Sequence, residues 1–423
     1  MAHSHALGAT NRRRSRRDGL RAPMIVAMLG SLLLGLAACT LFGGGTSTAP
    51  VLNIAAPVPS GSGFYYLQPA SDNSGSHNTI VRADAATGTP QWRQALPGIL
   101  PLIAVRDGII YAVNGLDVLA LRGSDGTKLW DTTLNDVVLS QSSSFARVRV
   151  QPVVADDHVY ISIDDADSFT HGQVVALRAS DGAQLWSRDF DDFYNSDAVQ
   201  PLAAGDGFVF VTSVGNGVHA LRAADGSLAW QAHYAGVAQL VGGLVYVDDA
   251  SDPLVALDEQ TGALVWTLPC WKQTGITPSA SGAQIYIGCL EPHNPIATGE
   301  GVFAFDTHQR ELLWKYHAYN FNGQPVIASD KVFIPFGTTL AAVRASDGKL
   351  VWSQQAEEPN AGPVALALIG DTLYVRVSVV SPHVVIFGCG TSCKQSNSLS
   401  ALRTSDGAAY WRHYEPIGTF LGS

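Results

Sequence analysis

Five cysteines, twelve histidines and a short aspartate run are the side chains of this 423-residue chain with chemistry to offer. Thiols hold zinc when they come as two short-spaced pairs, and Cys270, Cys289, Cys389 and Cys393 do not form such a set. Asp164, Asp165 and Asp167 could bind calcium weakly, but the glycine and distal glutamate of an EF-hand loop are missing. The histidines are scattered, and only His3 and His5 lie close together. Gly215-Asn216-Gly217-Val218-His219-Ala220 imitates a dinucleotide loop, yet it reads strand-turn-strand and lacks the helix N-terminus that would hold a phosphate. No Gly-x-Ser-x-Gly elbow, His-Glu-x-x-His helix or phosphate-binding loop occurs. Local motifs therefore assign no catalytic residue, no cofactor-binding residue and no metal ligand.

The elements that would have to position any such group are repeats. Trp92, Trp130, Trp186, Trp230, Trp266, Trp314, Trp352 and Trp411 close eight near copies of Ala176-Leu177-Arg178-Ala179-Ser180-Asp181-Gly182-Ala183-Gln184-Leu185-Trp186, and only Trp271 stands outside the pattern. Four residues before each tryptophan lies a glycine preceded by Asp or Thr, except where Gln309-Arg310 takes their place. Asp-Gly or Thr-Gly between apolar runs is hairpin chemistry, because glycine accepts a positive φ and the preceding side chain caps the local backbone. Apolar runs such as Ile109-Ile110-Tyr111 and Phe208-Val209-Phe210, about twenty residues upstream of the tryptophans, add a further strand. Segments such as Gln324-Pro325-Val326-Ile327 add an innermost one. From Trp92 to Trp411 the seven intervals average about 46 residues, which predicts an all-β, eight-bladed β-propeller of four-stranded antiparallel blades. A tryptophan at one fixed place per blade is expected to dock one blade onto the next. Blade one's inner strand could come from Val51 to Ala56 or from Pro416 to Leu421.

Residues 1–39 read as an export signal. Six arginines, Arg12 to Arg21, precede an apolar run from Ala22 to Ala38, too short to span a membrane as an ordinary helix. Leu36-Ala37-Ala38-Cys39 resembles the bacterial lipobox, so Cys39 is expected to be lipidated. Ser15-Arg16-Arg17-Asp18-Gly19-Leu20-Arg21 also resembles a twin-arginine signal, with glycine where a bulky residue is preferred. Residues 40–50 form a flexible tether and residues 51–423 the propeller. Without the leader, 20 basic residues face 35 acidic ones, a formal −15. That balance excludes nucleic acid as a partner and leaves the lipid as the only attachment to a membrane.

The copies differ where their loops differ. Blades one, three, six and eight carry extra residues between the second and third strands, for example 26 residues from Tyr66 to Trp92 and 37 from Tyr374 to Trp411. The connections into blades three and four are also long. By strand parity all these insertions leave one face of the ring, while the opposite face carries the uniform Asp-Gly turns. The decorated face is the candidate interaction face. It bears Phe145, Asp167, Phe169, Phe190, Asp192, Phe193, Tyr194 and Phe387, aromatics beside acids of the kind interfaces favour. The alternative is that Phe190, Phe193 and Phe387 tuck back and cap the blade edges. Four cysteines of an exported protein allow three pairings. Joining Cys270 to Cys289 and Cys389 to Cys393 keeps each bridge inside one blade. A turn at Ser281-Gly282 sets Cys289 opposite Thr274, so Cys270 must fold back at the blade corner to meet it.

Ala256-Leu257-Asp258-Glu259-Gln260-Thr261-Gly262-Ala263-Leu264-Val265-Trp266 resembles the tryptophan-docking repeat of the pyrroloquinoline-quinone (PQQ) family of propellers, and the likeness runs from about residue 50 to 415. The resemblance implies the fold and offers two activities. Quinoprotein dehydrogenases hold PQQ and Ca2+ at the axis, but this chain has no adjacent-cysteine pair and no position that matches their calcium ligands or catalytic acid. The BamB-like branch consists of lipid-anchored, cofactor-free scaffolds of outer-membrane assembly, and the lipobox and single propeller fit it better. The expectation is a monomeric, non-catalytic binding module of the cell envelope, with a protein or cell-surface ligand and no cofactor. A PQQ- and calcium-dependent dehydrogenase is the alternative, and a glycan-binding or sensory propeller the next.

Overall fold

The structure, a computed structural model, describes residues 58–72, 75–96, 102–134, 146–147, 152–165, 172–190, 200–213, 217–234, 236–248, 253–290, 300–321, 323–328, 330–356, 361–379 and 396–416. They form eight antiparallel sheets, each from one contiguous stretch and paired in sequence order, which makes an all-β eight-bladed propeller. Seven blades have four strands, and blade three gains a fifth.

Blade two shows the plan. Its strands are Leu102–Arg106, Ile109–Asn114, Asp117–Arg122 and Lys128–Thr133, from the axis outward. The two middle strands are buried along most of their length, whereas in the outer strand only Trp130 is buried. A middle strand is covered on both faces by neighbouring blades, so it reads as a nearly continuous apolar run; the outer strand faces solvent and alternates. The core is accordingly divided among the seams. Each of eight hydrophobic clusters draws on two consecutive blades, and one of them joins blade eight to blade one through Tyr374, Leu399, Ala401, Phe64 and Val81.

Ring closure uses no shared sheet. Blade one's inner strand is Val58–Ser60, with Val58 opposite Tyr65, and Ala409–Pro416 is the outer strand of blade eight. The C-terminal alternative for blade one is thereby ruled out. The Val51 to Ala56 alternative lies outside the described residues. Closure rests on side chains: Tyr374 Oη and Trp411 Nε1 both donate to the Ala85 carbonyl, at 2.6 and 3.4 Å, and the Phe64 ring lies 4.8 Å from that of Tyr374.

Blade one corrects two expectations. Register places Tyr65, not Tyr66, in line with Arg82 and Trp92. Its extra residues lengthen both middle strands, Gly63–Asp72 and Gly75–Asp84, instead of forming a loop.

Candidate functional site: docking seams and the loop-bearing end of blade three

In seven blades the tryptophan donates its Nε1 proton to a backbone carbonyl of the following blade, at 2.7 to 3.4 Å, the acceptors being those of Gly123, Ala179, Ala223, Glu259, Ala345, Thr404 and Ala85. Each of these indoles rests on the turn glycine of that next blade. A Cβ at Gly182 would sit 2.6 Å from Trp130 Cε3, and one at Gly226 would sit 2.7 Å from Trp186 Cε3. The glycine thus does two things: it supplies a positive φ, +74° at Gly182, and it leaves room for the ring. Within its own blade each of the seven tryptophans also meets the Tyr or Phe of the second strand at 5.7 to 6.0 Å between centroids.

The exception is Trp266. Its seat in blade six would be position 310, which is arginine at φ +58°. Among the described residues Trp266 Nε1 makes no hydrogen bond and has no ring contact with Tyr246. It turns instead edge-on to Phe305 of blade six at 5.7 Å. Tyr246 is fully buried with an unpartnered hydroxyl, and burial pushes its pKa up to about 12.

The turns come in two chemistries. In Asp258-Glu259-Gln260-Thr261 the Asp258 carboxylate accepts the amides of Gln260 and Thr261 and the Thr261 hydroxyl. Asp84 does the same with Ala86 and Thr87. Where arginine replaces that aspartate, the carboxylate moves three residues on: Asp181 accepts the Ala183 amide and pairs with Arg178 at 2.8 Å. Asp125 and Asp347 repeat the arrangement with Arg122 and Arg344. Hydrogen bonds from Thr87, from Thr127 and from Ala183 hold the carboxyls of Asp84, Asp125 and Asp181 below the usual aspartate range, and Ser227 does so for Asp225.

Cys270 and Cys289 form a disulfide, with Cα atoms 5.3 Å apart. The register differs from the simple hairpin. Lys272 pairs with Cys289 and Ile276 with Ile287, so two extra residues are absorbed between Lys272 and Ile276. That bulge, and not a fold-back at the corner, brings Cys270 within reach. The displaced Thr274 returns its hydroxyl to the ladder, accepting from the Gly288 amide at 2.8 Å. Cys39, Cys389 and Cys393 lie outside the described residues.

On the loop-bearing face, blade three gathers the candidates. Its fifth strand, Ala146–Arg147, pairs with the end of His158–Asp165, setting Ala146 opposite Asp165 and Arg147 opposite Asp164. Gly172, which opens the third strand, pairs with Phe190, which ends the outer one. The segments that carry Phe145, Asp167 and Phe169, and Asp192, Phe193 and Tyr194 therefore all start from one end of one sheet. Those six residues lie outside the described residues, as does Phe387, whose segment belongs to blade eight. Phe190 is the one candidate in view, and it takes the tucked position: it is 8% exposed, packs in the seam with Trp186 and Val211, and meets His219 of blade four edge-on at 5.5 Å. It is a platform residue, not part of a free face. Gln173 and Asp189 brace the same end through a 2.7 Å hydrogen bond. Sequence reading missed the fifth strand, because a two-residue pairing inside a long connection leaves no periodicity to find.

A quinone with calcium would ask for clustered carboxylates; among the described residues no group of three His, Cys, Asp or Glu side chains is placed to hold a metal ion. The polar groups bridging the inner strands of blades five to seven are uncharged: the amides of Gln239 and Gln324 and the Thr277 hydroxyl, which donates to the Pro325 carbonyl. Gln239 accepts from the Ile276 amide at 2.9 Å, and Gln324 donates to the Ile276 carbonyl at 3.0 Å.

The sequence profile of the family described as outer membrane protein assembly factor BamB matches residues 168–240, 232–375 and 296–416, more than half of the chain. The BamB of Burkholderia pseudomallei (strain K96243) is 26% identical over 290 residues, 66% of this chain and 61% of that protein. Among the first curated relatives, the chain spans 53% to 61% of their length. The crystal structure of BamB from Moraxella catarrhalis superposes with a TM-score of 0.54 at 16% identity, covering 76% of this chain and 92% of that one. A europium-containing methanol dehydrogenase gives 0.54 at 14% identity, covering 77% and 82%. At such identities the two structures speak for the fold alone. Taken with eight blades that close into a ring through tryptophan and tyrosine side chains, the profile match places this chain in the family of the outer membrane protein assembly factor BamB.

Proposed function

We propose that the chain is an exported, lipid-anchored, non-catalytic scaffold of the cell envelope that holds a protein partner on the loop-bearing end of blade three. The observation that supports the reading best is the pairing of Ala146–Arg147 with Asp164 and Asp165, which sets at one braced sheet end the strand ends from which the aromatic and acidic segments depart. Aromatic residues supply interface energy where a partner buries them, and acids close to them in the sequence select and steer a basic surface. The leader ending at Cys39 supplies export and the anchor, and the names of the relatives point to an envelope protein as partner. The test is a photo-crosslinking amino acid at Phe193 in intact cells, with Thr338 of blade seven as the control position. A single envelope protein captured from Phe193 and not from Thr338 is the expected result. Equal capture from both positions would sink the proposal. Cys39→Ser is expected to move the protein from the membrane to the soluble fraction.

A further inference from the structure

The seam between blades five and six lacks the fastening that the other seven share. Trp266 has neither a glycine seat nor a carbonyl acceptor, and Tyr246 buries a hydroxyl that nothing accepts. In their place stands a covalent link. Cys270 lies in the connection that leaves blade five, where Leu254 donates its amide to the Cys270 carbonyl at 3.0 Å and Leu268 donates to the Leu254 carbonyl at 2.8 Å. Cys289 lies in Gln284–Leu290, the second strand of blade six. The bridge therefore ties a segment held by blade five to the body of blade six, and both sulfurs sit in the same buried cluster as Tyr246, Leu254, Ile287 and Phe305. The Gln239 and Gln324 amides fix blade six at its innermost strand, and at the outer turn an exposed hydrogen bond, from Arg310 Nη1 to the Val265 carbonyl at 3.2 Å, crosses in place of the dock.

We propose that this seam is where the ring opens, and that the Cys270–Cys289 disulfide is its latch. Oxidised, the bridge replaces the missing tryptophan dock. A dithiol reductant releases it by thiol–disulfide exchange: one thiolate attacks a cystine sulfur and the S–S bond breaks. The reductant's second thiol then resolves the mixed disulfide. Cys270 and Cys289 become thiols, having gained two electrons and two protons, and the reductant leaves as its own disulfide. With the latch released, the outer part of blade six swings on its amide-pinned inner strand.

Hydrogen–deuterium exchange of the whole protein, oxidised and after dithiothreitol, tests this. Exchange in Leu264–Thr267 and Glu300–Asp306 is expected to rise by about tenfold on reduction, modest beside what a bridge closing such a loop commonly contributes. The strands around the Trp186 and Ala223 dock should not change. Cys270→Ser with Cys289→Ser should reproduce the rise without reductant. Arg310→Gly, which gives up the exposed hydrogen bond to the Val265 carbonyl but restores the seat, should suppress it in the reduced protein. A rise shared evenly by all seams, a rise that survives Arg310→Gly, or no rise in the serine pair would overturn the proposal. A serine pair that cannot fold would also overturn it, since seven docked seams should hold the unlatched ring together.

Discussion

Trp186 of blade three lies against Gly226 of blade four so closely that a Cβ there would meet Cε3 at 2.7 Å, while its Nε1 reaches the Ala223 carbonyl at 2.8 Å. Gly226→Ala must therefore bear both a positive-φ penalty and a displaced indole, about 2 to 4 kcal/mol together. Gly207, at φ +84° with nothing within 4 Å of its would-be Cβ, supplies the control. Gly207→Ala should cost only about 1 kcal/mol. Denaturant midpoints of the two variants separate the seat from the turn, and equal losses would mean that the indole contact contributes nothing.

Some of this was legible in the chain and some was not, for physical reasons. Eight tryptophans at one register betray eight blades, because each must bury the same ring in the same place. The anomaly of Arg310 was visible too, but its consequence falls on Trp266, one repeat earlier, since docking joins the tryptophan of one blade to the glycine of the next. A reading confined to each copy misses that offset. The bulge beside Thr274 carries no composition signal, because its missing ladder bond is made good by a hydroxyl that looks like any other. Phe190 could not be assigned without knowing that His219 stands opposite it across a seam.

The two turn chemistries are expected to be interchangeable only as units. Arg178→Asp alone would face Asp181 with a second carboxylate three residues away and remove the 2.8 Å ion pair, a small loss of stability at this exposed site. Adding Asp181→Thr recreates the arrangement of Asp258 and Thr261 and should recover most of that loss. A double-mutant cycle on unfolding free energies reads the coupling directly, and strict additivity would refute it.

Acid should act on the same turns. The carboxyls of Asp84, Asp125 and Asp181 are held below the unfolded value of about 4, chiefly by backbone amides, and that of Asp225 chiefly by the Ser227 hydroxyl. A depressed folded-state pKa means that the native turn favours the ionised form. The contribution is complete above the unfolded pKa and disappears as pH falls through the folded one. Thermal midpoints should be insensitive to these groups between pH 7 and about pH 5 and fall below about pH 4. Replacing all four by asparagine should flatten the acid limb, and an unchanged limb would assign it to other carboxylates.

Two tyrosines give opposite expectations for one chemical change. Tyr374 Oη donates to the Ala85 carbonyl at 2.6 Å across the closing seam, so Tyr374→Phe strips a half-buried carbonyl of its better donor and should cost about 1 kcal/mol. Tyr246 Oη is buried without a partner, so Tyr246→Phe removes an unsatisfied polar atom and should be neutral or stabilising by up to about 1 kcal/mol. The comparison holds ring volume constant, which confines the difference to the hydroxyl. Calorimetric midpoints of the two variants decide it: if Tyr246→Phe proves as costly as Tyr374→Phe, the hydroxyl has an acceptor and the seam between blades five and six is better fastened than its geometry indicates.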